Sequence, residues 1–163
     1  RGARAPKQRA LIIAAQSSCI LWKDKSPYKT HAGAHFPHGG KGGHGPGYYL
    51  HLEPGECFVA GGMWMPEPEV LQQIRQRIAD KPSEWAKAHG KLDHSEETLK
   101  RPPRGFDPDH PMIEDIKRKS FTSSVRLTDK QVTGPNLMTT FVKNCDRISP
   151  LMRFLATAAG VAW

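Results

Sequence analysis

Acidic residues are missing from the first 23 positions, and this gap organises the charge of the whole chain. Residues 1–50 hold eight Lys/Arg against the single acid Asp24, whereas residues 51–163 hold sixteen against fifteen. Of the formal charge of +8, +7 therefore belongs to the first third of the sequence. Long apolar runs are also missing: the longest, Ala10 to Ala15, is six residues, far short of the roughly 20 that a membrane-spanning helix needs. Cysteine is scarce and odd in number. Cys19, Cys57 and Cys145 form no Cys-x-x-Cys pair, which argues against a disulfide framework and against a zinc knuckle. Cys57 and Cys145 sit among apolar neighbours and read as reduced core thiols. A reducing compartment follows, and the expected location is cytoplasmic.

Catalytic signatures are equally scarce. The chain has no G-x-S-x-G elbow, no H-E-x-x-H and no phosphate-loop lysine motif, so an enzyme reading rests on residue types alone. Gly40-x-Gly42-x-x-Gly45 matches a dinucleotide fingerprint in form only. Pro46-Gly47 and a strand follow where that fingerprint needs a helix N-terminus to receive the pyrophosphate, so the segment reads as a hairpin loop. No cofactor is expected.

What is present is a protein of 163 residues with 37% hydrophobic and 25% charged residues, the balance of one folded domain. Fifteen glycines and fourteen prolines make it loop-rich. From Thr30, β-prone runs alternate with turn-rich segments and predict a three-stranded antiparallel meander, with Pro54-Gly55 as the tight turn pairing Tyr48–Glu53 to Cys57–Met65. Alternation then puts Tyr48, Leu50, Leu52, Cys57, Val59 and Met63 on the core face. Tyr49, His51, Phe58 and Trp64 share the other, an aromatic face expected to be covered by helices.

Prolines and acids at Pro66 to Glu69 open a helix carrying Val70, Leu71, Ile74 and Ile78, which runs to about Ala79. Asp80-Lys81-Pro82 stops it, and Ser83 is placed to cap a short helix carrying Trp85. Pro111 to Lys119 reads as another helix, capped by Asp109, followed by a strand over Phe121 to Leu127. Leu137, Phe141 and Cys145 share one helical face. Ser149-Pro150 then caps a further helix carrying Leu151, Phe154, Leu155 and Ala158. Strands and helices come in blocks, so the fold class is α+β: a small antiparallel sheet packed with several helices in a single domain.

Two basic blocks carry the functional expectation. In KDKSPYKTH, Ser26-Pro27 fixes a turn that gathers Lys23, Lys25, Tyr28 and Lys29 as ammonium and phenol donors to an anion. In LKRPPRGF, Arg101 and Arg104 sit on a proline-stiffened backbone suited to bidentate phosphate or carboxylate recognition. Five of the eight histidines fall between His31 and His51. His31 and His35 would face the same way on a strand, but three of the five sit in or beside a glycine-rich loop that fixes no geometry, and no metal site is expected.

KDKSPYKTH, GYYLHLEPGE, GGMWMPEPEVLQQIRQRI and LKRPPRGFDPDHP, in that order and spacing, resemble the successive blocks of the domain-of-unknown-function 2461 family, from about Lys23 to the C-terminal helices. The resemblance implies a single α+β domain of no established activity, substrate or cofactor. It also implies an N-terminal helical region ending in a strand rich in Arg and Asp, which RGARAPKQRALIIAAQSSCIL does not match. Residues 1–22 are accordingly expected to form an irregular tail. Residues 23–163 then form the domain without its usual N-terminal part, and any site using those arginines would be incomplete.

The leading expectation is an anion-binding module for a phosphate-bearing ligand or nucleic acid, built on Lys23, Lys25, Tyr28, Lys29, Arg101 and Arg104. An alternative is a hydrolase or transferase with His31 or His110 as general base beside that site. A third is an interaction domain without chemistry. Oligomeric state is left open.

Overall fold

The computed structural model describes residues 31–38, 45–90 and 98–163. Within them lies a four-stranded antiparallel sheet in the order β1 (Ala32–Pro37), β2 (Gly47–Leu52), β3 (Cys57–Met63), β4 (Phe121–Leu127). Five helices accompany it among the described residues: α1 (Pro68–Asp80), α2 (Pro82–Ala88), α3 (Ile113–Ile116), α4 (Asp129–Thr133) and α5 (Leu137–Ala158). The class is α+β in a single domain.

The meander is longer than the sequence pattern indicates, because β4 returns after three helices to pair with β3, Val59 opposite Val125. The β2–β3 hairpin has His51 opposite Phe58. Gly55, at φ 79°, supplies the left-handed residue of its turn, closed by the Glu56 N–H donating to the Glu53 carbonyl at 2.9 Å.

Among the described residues, the core clusters lie on one side of the sheet. Cys57, Val59, Met63, Phe121 and Leu127 are buried there. Helix α5 crosses β3 closely because Gly61 has no side chain: a Cβ there would stand 2.8 Å from Ile148 Cγ2 and 2.9 Å from the Tyr48 ring. Helix α1 buries Val70, Ile74 and Ile78, as its spacing requires, together with Arg75. The Arg75 guanidinium donates through Nε to the Ile116 carbonyl (2.8 Å) and through Nη2 to that of Arg118 (3.1 Å), tying α1 to the segment leaving α3. Burial lowers its pKa, and the two carbonyls satisfy the donors that burial would otherwise strand. Trp85 of α2 is wholly buried, donates Nε1–H to Asp115 Oδ2 (2.8 Å) and packs against Phe121 and Phe154.

Several local expectations are corrected. Ser83 does not cap α2, because Pro82 already occupies the first turn and Lys81 is the capping residue, with no side-chain bond. Asp109 does not cap α3, which is only Ile113–Ile116. Its own N–H instead bonds Asp107 Oδ1 at 2.9 Å in an Asx turn. Ser149-Pro150 separates nothing, since α5 runs through Pro150. An interior proline costs about 3 kcal/mol, but burying Leu151, Phe154 and Leu155 stabilises by about 1.5–3 kcal/mol each, and only a continuous helix buries them in line with Phe141 and Ile148. The fourth correction concerns the aromatic face. The helices pack on the Tyr48 face and against one another, and none of the described helices covers Tyr49, His51 and Phe58.

Candidate functional site

Strict alternation on the side away from the helices assembles His35 from β1, Tyr49 and His51 from β2, Phe58 and Ala60 from β3, and Thr122, Ser124 and Arg126 from β4. Glycines keep this surface low. The Tyr49 hydroxyl lies over Gly33 and the His35 ring over Gly47, so closely that a Cβ at either glycine would collide with them. The result is a cleft of about 550 Å³, lined among others by His35, Tyr49, Phe58, Trp64, Ser124 and Arg126. That volume falls in the range of small-molecule sites. A smaller cleft of about 350 Å³ shares His35, Gly47 and Trp64 with it and reaches Glu67 and Val70 at the start of α1.

Trp64 stands between the two clefts and is 75% exposed. The next residue, Met65, has φ 44°, a left-handed conformation uncommon for a side-chain-bearing residue, and its N–H is held by the buried Ser120 Oγ at 3.0 Å.

At the hairpin end of the cleft, rings stack across three strands. His31, just before β1, lies 4.9 Å from His51, and His51 lies 4.8 Å from Phe58, with interplanar angles of 29° and 18°. Arg126 pairs with Phe58 at the next strand position. The charged residues lining the larger cleft are Arg126 and Glu56, and neither forms an ion pair with another described residue. No group of three His, Cys, Asp or Glu with metal-binding geometry occurs among the described residues.

The anticipated site residues fare differently. Lys23, Lys25, Tyr28 and Lys29 lie outside the described residues, and with them the anticipated convergence of the two basic blocks. Arg101 and Arg104 are exposed on a loop anchored by Phe106, which packs on the helix-side core, and neither lines the cleft. His110 braces the backbone on both sides of its ring. Its Nδ1 accepts the Met112 N–H at 3.1 Å, which leaves Nε2–H to donate to the Ala79 carbonyl (3.3 Å) near the end of α1. With its lone pair occupied, this imidazole is poorly placed as a base. His31 is exposed, and its ring stacks on His51. Sequence reasoning grouped Tyr49, His51, Phe58 and Trp64 but gave them no function, and it missed Ser124 and Arg126. The signal for the last two was Thr122-x-Ser124-x-Arg126, a polar alternation set against Phe121, Val125 and Leu127 and blurred by Ser123.

A family model described as "Conserved hypothetical protein (DUF2461)" matches residues 22–154. The chain belongs to this family. No curated protein and no solved structure matches it. The DUF2461 match spans all four strands, so the cleft is built entirely within the family domain. Both basic blocks fall inside it as well. No helix among the described residues is long and apolar enough to cross a membrane.

Proposed function

We propose that this protein binds a small anion with an apolar or aromatic body, in the cleft on the sheet face away from the helices. The observation that carries this reading is Arg126: a guanidinium with no ion-pair partner among the described residues, lining a cleft of about 550 Å³ beside Phe58, Tyr49 and Trp64. A guanidinium fork takes carboxylate or phosphate bidentately, and the rings offer apolar area to the remainder of the ligand. Thr122, on the same strand face, adds a hydroxyl that can donate to the same anion. A long polyanion fits less well. The cleft balances Arg126 with Glu56, whereas nucleic-acid surfaces gather cations without such a counterweight.

Calorimetric titration with phenyl phosphate and benzoate tests this. Binding should weaken at least tenfold in Arg126→Gln and stay unchanged in Arg104→Ala. Binding that is indifferent to Arg126, or lost with Arg104, would return the anion site to the basic blocks. If neither probe binds, the interaction-domain reading takes its place.

A further inference from the structure

Resting on the reading of this face as a ligand site, we propose that the cleft is also a proton-transfer site, in which Tyr49 meets the ligand and His51 and Glu53 hold it primed from behind. The three side chains follow one another at alternate positions along β2 and just past its end. Tyr49 Oη lies 3.4 Å from His51 Nδ1, and His51 Nε2 lies 3.3 Å from Glu53 Oε2. A carboxylate only accepts, so the imidazole proton sits on Nε2. Nδ1 then carries the lone pair, and the Tyr49 hydroxyl donates to it. The ring is fixed on its faces too, by His31 and Phe58. An imidazole held on both edges and both faces, behind the hydroxyl of a cleft-lining tyrosine, has the carboxylate–imidazole–hydroxyl order used to activate oxygen nucleophiles and bases.

The substrate class follows from the cleft: a small anion, its charged end at Arg126, carrying a hydroxyl that reaches Tyr49. Tyr49 takes the ligand's hydroxyl proton as it passes its own to His51 Nδ1. The ligand becomes an oxyanion, Tyr49 remains a phenol, and the positive charge rests on an imidazolium paired with the Glu53 carboxylate. No other co-reactant is needed. His51 is faced by Tyr49 and Glu53 from its own strand, by His31 from the segment before β1 and by the uncharged Phe58 from β3. His35, Glu56 and Arg126 are the remaining titratable or charged groups of the cleft.

Benzenesulfonyl fluoride tests the relay without a natural ligand. The Tyr49 oxygen bonds to sulfur, the S–F bond breaks, fluoride leaves and the phenolic proton goes to His51. Peptide mass spectrometry at pH 7.5 should show Tyr49 labelled at least tenfold faster than N-acetyltyrosinamide, with Tyr48 unlabelled. His51→Gln and Glu53→Gln should each slow labelling several-fold, and Arg104→Ala, at a residue that does not line the cleft, should leave it unchanged. Labelling no faster than the free amino-acid amide overturns the relay even where a variant fails to fold. Since this probe is uncharged and phenyl phosphate is an anion, failure of the relay and failure of the anion site are separable.

Discussion

Tyr48 and Tyr49 are neighbours in sequence and opposites in environment, and the difference between them is the difference between the two faces of the sheet. Tyr48 points under α5, where its hydroxyl donates to the Cys145 carbonyl at 3.1 Å. Burial, reinforced by the neighbouring Cys145, pushes its pKa up to about 12. Tyr49 points into the cleft, towards His51 and Glu53. One phenol is kept protonated by packing, while the other lines an open cleft. The helix-packed face holds the fold together, and the other face carries the cleft.

That division gives an ordered set of expectations. The largest effect on stability should come from Trp85→Ala, which empties a wholly buried site and removes the indole bond to Asp115, leaving that carboxylate only its pairing with Arg118. A loss of about 3–5 kcal/mol is expected in denaturant unfolding. Gly61→Ala should follow, at about 1–3 kcal/mol, because its Cβ meets α5 and the Tyr48 ring. A loss of less than about 0.5 kcal/mol there would show that α5 can move away from the sheet, and the contrast between the faces would weaken.

The pH dependence is expected to be smaller and one-sided. Tyr48 and Cys145 both have pKa values raised by burial to about 12, from ordinary values of 10.0 and 9.0. Both are neutral below their folded-state values, so this contribution is complete below pH 9. It should be lost as pH rises from about 9 to 12, when the unfolded chain ionises and the folded one resists. Thermal unfolding across that window should show a decline that Tyr48→Phe makes shallower. The smallest stability effect belongs to the cleft: Arg126→Gln should change unfolding free energy by less than about 0.5 kcal/mol while removing anion binding.

Much of the fold was legible because the strongest patterns are local. The Pro54-Gly55 turn, the Val70, Ile74 and Ile78 spacing and the Phe121–Leu127 strand each declare themselves within a few residues. Features decided by distant partners were not. Pro150 reads as a break unless the core beneath both halves of α5 is known, and Arg75 reads as a solvated side chain until the carbonyls of Ile116 and Arg118 are placed beside it. The site was legible in part. Alternation put Tyr49, His51 and Phe58 together, but it could not bring Arg126 to them, because β4 joins β3 only after three intervening helices. Counting cations favoured Arg101 and Arg104, whereas sheet register places a single arginine where an aromatic wall accompanies it.

Whether ligands meet the cleft face is decided most directly by an amide-resolved NMR titration with phenyl phosphate. Saturable shifts are expected at Tyr49, Phe58, Ala60, Ser124 and Arg126, with the Leu99–Phe106 loop unmoved. Shifts confined to that loop, with the sheet face silent, would contradict a ligand site on the cleft face.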